Sequence, residues 1–141
     1  MNWLIYALAT AFALASADFL IKITAGKLSN SVALLLYGSC TFVAGLSWVL
    51  WERAQGAELF AQPSGVLTAL GVGVAFSCVT VGLYATFGAG VPVSVGSPVI
   101  RLSGLMLASL AGIVLLQEPF TWRYGIGILL VAIGIYLILT R

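Results

Sequence analysis

Five long apolar runs divide the chain, and short polar or glycine-containing stretches separate them. The runs cover roughly residues 3–25, 32–51, 65–87, 95–116 and 124–139. A helix of about 20 apolar residues crosses the hydrocarbon core of a bilayer. The fifth run is the shortest, so it must stand upright or be helped by Trp122 and Arg123 at its edge. The pattern therefore predicts an all-α, polytopic integral membrane protein with five transmembrane helices.

Composition supports the same class of protein. Hydrophobic residues make up 62% of the chain and charged residues only 7%, whereas an ordinary soluble domain is about 25% charged. The net charge of +2 rests on six basic and four acidic residues, which leaves no basic patch for nucleic acid. The lipid bilayer is thus the expected partner, and nucleic acid is not.

Residues that carry enzyme or metal chemistry are scarce. Histidine is absent, only four carboxylates exist, and no metal-binding motif or glycine-rich phosphate loop occurs. Cys40 and Cys78 both fall inside apolar runs, where small packing residues are the expected interpretation rather than a disulfide or metal pair. The sequence predicts no enzymatic activity, no cofactor and no metal site.

The first run also contains Ala13, Leu14 and Ala15, which resemble a signal-peptidase site. A signal peptide needs a positively charged start, and residues 1–12 contain no lysine or arginine. The segment is therefore expected to remain as the first transmembrane helix.

Three ionisable residues lie within the apolar runs. Arg101 is well inside the fourth run, where a charge costs about 2.5–3.5 kcal/mol unless it faces protein or water. Asp18 and Lys22 are four residues apart on one face of the first helix. Lys22 is near enough to the helix end to reach the headgroups, and Asp18 is too short to do so. An internal Asp18–Lys22 pair would only lower the insertion cost; the alternative is a role in binding substrate or a proton.

The positions of Asp18 and Arg101 within their spans place the two residues at a similar depth in the membrane. Asp18 lies ~6 Å past the middle of its span and Arg101 ~7 Å before the middle of its own, in the same half of the bilayer. We therefore expect the two to pair, with Lys22 as a second cation that suits a carboxylate or phosphate substrate. Alternatively, Asp18 exchanges a proton. Tyr37 and Tyr84 are further candidates for lining the cavity, although an aromatic residue in a helix bundle more often serves packing.

Small residues recur on the last two helices. Gly104, Ala108 and Gly112 stand at every fourth position, and Gly127 and Gly134 are seven apart. Such stripes let helices approach closely. They predict a packing surface, either for a dimer that buries the fourth and fifth helices or for packing within one chain.

Several motifs resemble those of EamA-type transporters. These are LQEPFT at residues 116–121, YGIG at 124–127, Lys22 near the end of the first helix, and SPV at 97–99. The resemblance covers residues 1–141 as one five-helix domain and implies membership of the drug/metabolite transporter superfamily, whose usual members have two such repeats and ten helices. The fifth helix is also similar to the dimerisation helix of the small multidrug resistance family. The resemblance implies a prokaryotic inner-membrane location.

Basic residues are balanced between the two ends of the predicted spans. Arg53 and Arg123 would lie on one side, and Lys27 and Arg141 on the other, with Lys22 nearby. The excess of Lys and Arg that normally fixes orientation is missing. The balance permits insertion in both orientations, and an antiparallel homodimer would then rebuild the inverted pair of repeats typical of such transporters.

These observations favour a small secondary transporter or exporter of a metabolite or drug-like solute, working as a dimer by alternating access. The alternative is a non-transporting membrane subunit or heteromeric partner that completes a larger assembly. Intramembrane charges favour transport, because a purely structural subunit has little use for Arg101.

Overall fold

The computed structural model describes residues 3–140, and it consists of five α-helices joined by short loops. The helices are α1 (Trp3–Thr24), α2 (Asn30–Ala54), α3 (Pro63–Gly88), α4 (Val93–Leu115) and α5 (Trp122–Leu139). All five are long and apolar enough to cross a membrane, and the described residues form no β-strand. The prediction of an all-α protein with five transmembrane helices is confirmed.

Helix α2 extends beyond its predicted apolar run at both ends. It begins where the Ser29 side chain caps the helix by accepting the backbone N–H of Val32 at 3.4 Å. Near its end, the Trp48 indole N–H donates to Glu52 Oε1 at 2.8 Å, one turn later. The rings of Trp48 and Trp51 meet edge to face, with centroids 6.3 Å apart. Polar residues thus continue this helix, whose tryptophans are of the type that belongs at a membrane interface.

The chain divides into two compact units. The first contains Met1–Phe19 and Gly90–Arg141, and the second contains Leu20–Ala89. In the second unit, Thr80, Leu83 and Phe87 are buried along one face of α3. Met1, Asn2 and Arg141 lie outside the described residues, and the single five-helix domain over residues 1–141 stays a prediction.

The loop between α4 and α5 folds back onto both of its helices. Gln117 adopts a φ of 54°, which is uncommon outside glycine. The Glu118 backbone N–H donates to the Gly112 carbonyl at 3.3 Å, and its carboxylate lies where a Gly112 side chain would be. On the other helix, the Phe120 ring covers Gly125 in the same way. Two glycines therefore provide the space into which the two loop side chains pack.

Gly125→Ala is expected to stabilise the protein less than Gly127→Ala does. Alanine is favoured over glycine within a helix by about 0.5–1 kcal/mol, but at position 125 the added Cβ would stand 2.8 Å from Phe120 Cζ, so the ring must move. Gly127→Ala is the matched control, since its added methyl meets nothing within 4 Å. The midpoint of thermal unfolding in detergent should therefore be lower for Gly125→Ala than for Gly127→Ala. Equal midpoints for the two variants would contradict the packing of Phe120 on Gly125.

Candidate binding site

An ion pair joins α1 and α4 within the first unit. Arg101 Nη2 donates to Asp18 Oδ1 at 2.6 Å, and Arg101 Nε donates to Asp18 Oδ2 at 3.3 Å. The contact is therefore the two-point fork that arginine makes with a carboxylate. Asp18 is only 2% exposed, whereas the Arg101 side chain is 33% exposed. The pairing predicted from depth is confirmed.

Both charges lie inside membrane-length helices. Arg101 is eight residues after the first residue of α4, or about 12 Å along the axis. Asp18 is six residues before the last residue of α1, or about 9 Å. Neither charge is at a helix terminus, so each depends on the other for compensation.

Ser97 completes the cluster, and sequence reasoning missed it as a site residue. Its hydroxyl donates to Asp18 Oδ2. Other span hydroxyls bond their own helix instead; Thr10, for example, donates to the Tyr6 carbonyl at 2.8 Å. The signal available in the sequence was the four-residue spacing from Ser97 to Arg101, which puts both side chains on one face of α4. Both carboxylate oxygens of Asp18 are thus engaged.

The other predicted site residues belong to the second unit. Lys22 Nζ donates to the Phe87 carbonyl at 3.2 Å. Tyr37 is 37% exposed and lines an open groove of about 710 Å³ between α2 and α3, together with Thr41 and Ser77. Tyr84 is half-buried on α3. Substrate binding by Lys22, Tyr37 and Tyr84 stays a prediction. The two cysteines are free and exposed on α2 and α3.

The small residues of α4 and α5 differ in what covers them. Gly112 is buried, and Glu118 Oε2 stands 2.7 Å from the position of an added Cβ. Gly104 and Gly127 are exposed, Gly134 is half-buried, and an added Cβ at any of these three meets nothing within 4 Å. Ala108 is also exposed. Within residues 3–140, Gly104, Ala108 and Gly127 are thus open to a neighbour, and Gly134 is partly open.

Comparison with known proteins identifies one family. A model described as the EamA-like transporter family matches residues 1–140. No curated protein and no solved structure matches the chain significantly. The family match extends over all five helices, and it includes the three residues of the Asp18–Ser97–Arg101 cluster and the loop between α4 and α5.

Proposed function

Since the chain belongs to the EamA-like transporter family, whose members are membrane transporters of the drug/metabolite transporter superfamily, we propose that it is a small secondary transporter or exporter that works by alternating access. The observation that carries the proposal is the Asp18–Arg101 pair within two membrane-length helices. Ionisable residues at this depth are expensive and serve solute or ion pathways. The protein is a multi-pass integral membrane protein, and we place it in a prokaryotic inner membrane. Transport rather than catalysis is its proposed role.

We further propose that the transport unit is an antiparallel homodimer. The described residues form five spanning helices, and no more than 11% of the most apolar 18-residue window of any of them is buried inside the chain. A second copy would cover part of that surface. The open small residues of α4 and α5 support an interface there, because small residues let two helices approach closely. Gly112 is covered by Glu118, so the proposed interface centres on Gly104, Ala108, Gly127 and Gly134.

Gly134→Leu is expected to weaken this dimer, because a bulky side chain would separate helices that approach closely at a glycine. Gly71→Leu is the matched control: Gly71 lies on α3, is exposed, and has nothing within 4 Å of an added Cβ. Molecular mass in mild detergent, measured by light scattering, should fall toward that of the monomer for Gly134→Leu alone. An unchanged dimer in that variant would contradict an interface on this face of α5.

Flux by the purified chain alone tests the proposal against its rival, a non-transporting subunit or heteromeric partner. Proteoliposomes would be assayed for uptake of alanine, tetraphenylphosphonium and glucose 6-phosphate, which represent amino acids, organic cations and sugar phosphates. Uptake of any of them above that of empty liposomes supports a transporter that is complete as a homo-oligomer. Uptake that appears only when a second five-helix chain is added would favour the heteromeric form. No uptake under either condition would count against transport.

A further inference from the structure

Toward the described residues, the guanidinium of Arg101 uses one of its two hydrogen-bonding edges. Arginine carries five N–H donors in a planar fork. Asp18 accepts from Nε and from Nη2, and these are the hydrogen bonds that Arg101 makes within residues 3–140. The edge formed by Nη1 and the second N–H of Nη2 therefore remains for a ligand. That edge presents two parallel N–H groups, which match the two oxygens of a carboxylate or phosphate.

Exposure decides which member of the pair a ligand would meet. The Asp18 side chain is 2% exposed, and its two oxygens already accept from Arg101 and Ser97. The Arg101 side chain is 33% exposed. A solute that reaches this pair therefore contacts the Arg101 guanidinium, while the Asp18 carboxylate stays buried beneath it.

We propose that Arg101 binds an oxyanion, the carboxylate or phosphate group of a solute, through this second edge. Asp18 and Ser97 are positioning residues that hold the guanidinium from its other edge. The proposal deepens the transport function and rests on it for the biological role of the site. It assigns Asp18 to holding Arg101 rather than to contacting the solute.

The charges of the pair are compatible with an anion at this edge. The bound oxyanion would lie against the guanidinium, and the Asp18 carboxylate would lie on its far side, so the nearer attraction exceeds the more distant repulsion. The hydrogen bond from Ser97 further offsets the negative charge of Asp18. Because Asp18 already fixes the arginine rotamer, a ligand loses less free energy in ordering it. A cationic solute would meet the positive guanidinium first and be repelled.

Calorimetric titration of the purified full-length chain in an uncharged detergent tests the ligand class. The probes are acetate and glucose 6-phosphate, with chloride and tetraphenylphosphonium for comparison. We expect both oxyanions to bind about tenfold more tightly than chloride, which cannot use two donors in a plane, and no binding of the cation. Arg101→Lys keeps the charge but loses the fork, so oxyanion affinity should fall about tenfold and the preference over chloride should shrink.

Three further variants separate positioning from folding. Ser97→Ala should weaken oxyanion binding several-fold in a protein that still folds, with the thermal midpoint lowered only by the loss of one hydrogen bond to Asp18, and Ser97→Thr should restore both binding and midpoint because it restores the hydroxyl. The double change Asp18→Asn with Arg101→Gln leaves no charge stranded, so it should fold and lose oxyanion binding. Arg53→Gln is the control, because Arg53 is an exposed arginine at the end of α2 and outside the cluster.

Unchanged oxyanion affinity in Arg101→Lys and in the neutral double variant would overturn the proposal. So would binding seen only with phosphatidylglycerol micelles, since the ligand would then be a lipid headgroup and not a solute. Failure here is distinguishable from failure of the transport function. Oxyanion binding without flux in liposomes would keep the site and refute transport. Flux of alanine or glucose 6-phosphate that persists unchanged in Arg101→Gln would keep transport and refute the site.

Discussion

Arg101→Ala is expected to lower the free energy of unfolding by about 3–5 kcal/mol, the range found when one partner of a buried ion pair is removed. The cause is the stranded carboxylate. Asp18 is 2% exposed while Arg101 covers it, and truncation to alanine removes both hydrogen bonds that Arg101 donates to it. Among the described residues, the hydroxyl of Ser97 is the partner that would remain. The loss should be measured by SDS titration of the folded protein in mixed micelles.

Asp18→Asn is expected to be the milder single change. It should lower the free energy of unfolding by about 1–2 kcal/mol. Asparagine has nearly the same shape and keeps one oxygen that can accept from Arg101 or Ser97. The arginine left without its counter-charge is 33% exposed, so it is less completely removed from polar surroundings than Asp18 would be. This asymmetry between the two single variants follows from the structure and was not predictable from the sequence.

The double variant Asp18→Asn with Arg101→Ala should be less destabilised than the sum of the two single variants, because neither charge is then left alone. Residues in direct contact show coupling energies of about 0.5–3 kcal/mol. Arg53→Ala provides the control, since it makes the same substitution at an exposed arginine outside the cluster and should change little. Strict additivity across the cycle would mean that Asp18 and Arg101 do not interact.

The sequence was sufficient to predict the five helices and the central pair. Helix rise is fixed, so positions within two apolar runs convert directly to depth, and only Asp18 was an acidic residue at the depth of Arg101. The need to compensate a buried charge then selected the contact. Physical constraints this strong leave few alternatives, which is why the pairing did not require knowledge of side-chain geometry.

Details that depend on local backbone direction were beyond the sequence. Ser97 appeared as a motif residue, and only the structure shows its hydroxyl turned toward Asp18 rather than toward its own helix. The fold-back of Glu118 onto Gly112 depends on the positive φ of Gln117, a conformation that no residue pattern signals for glutamine. The end of α2 was missed because hydropathy marks Glu52 as a loop, although its side chain bonds Trp48 within the helix.

The charges at the helix ends predict that the chain inserts into the membrane in both orientations. Arg53 and Arg123 lie at the ends of α2 and α5 that would share one side of the membrane. Lys27 follows α1 and would lie on the other side, as would Arg141, which is outside the described residues. Orientation is set by the excess of Lys and Arg in short loops, and here neither side has a clear excess. Paired reporters fused to the C-terminus, one active only in the cytoplasm and one only outside it, should therefore both give signal.

Adding or removing positive charges on one side of the membrane should make all chains insert in a single orientation. Ala57→Lys with Ala61→Lys adds two positive charges to the exposed loop between α2 and α3, which should hold that side in the cytoplasm and, across five spans, place the C-terminus outside. Arg53→Ala with Arg123→Ala removes the positive charges from the same side and should hold the C-terminus in the cytoplasm. Ala57→Ser with Ala61→Ser, at the same positions, controls for substitution without charge and should leave both reporters active.

An antiparallel dimer needs chains in both orientations. The lysine double variant and the arginine-to-alanine double variant should therefore each lose the dimer when expressed alone, and co-expression of the two should restore it. Signal from one reporter alone in the unmodified chain would refute dual insertion, and with it the antiparallel homodimer.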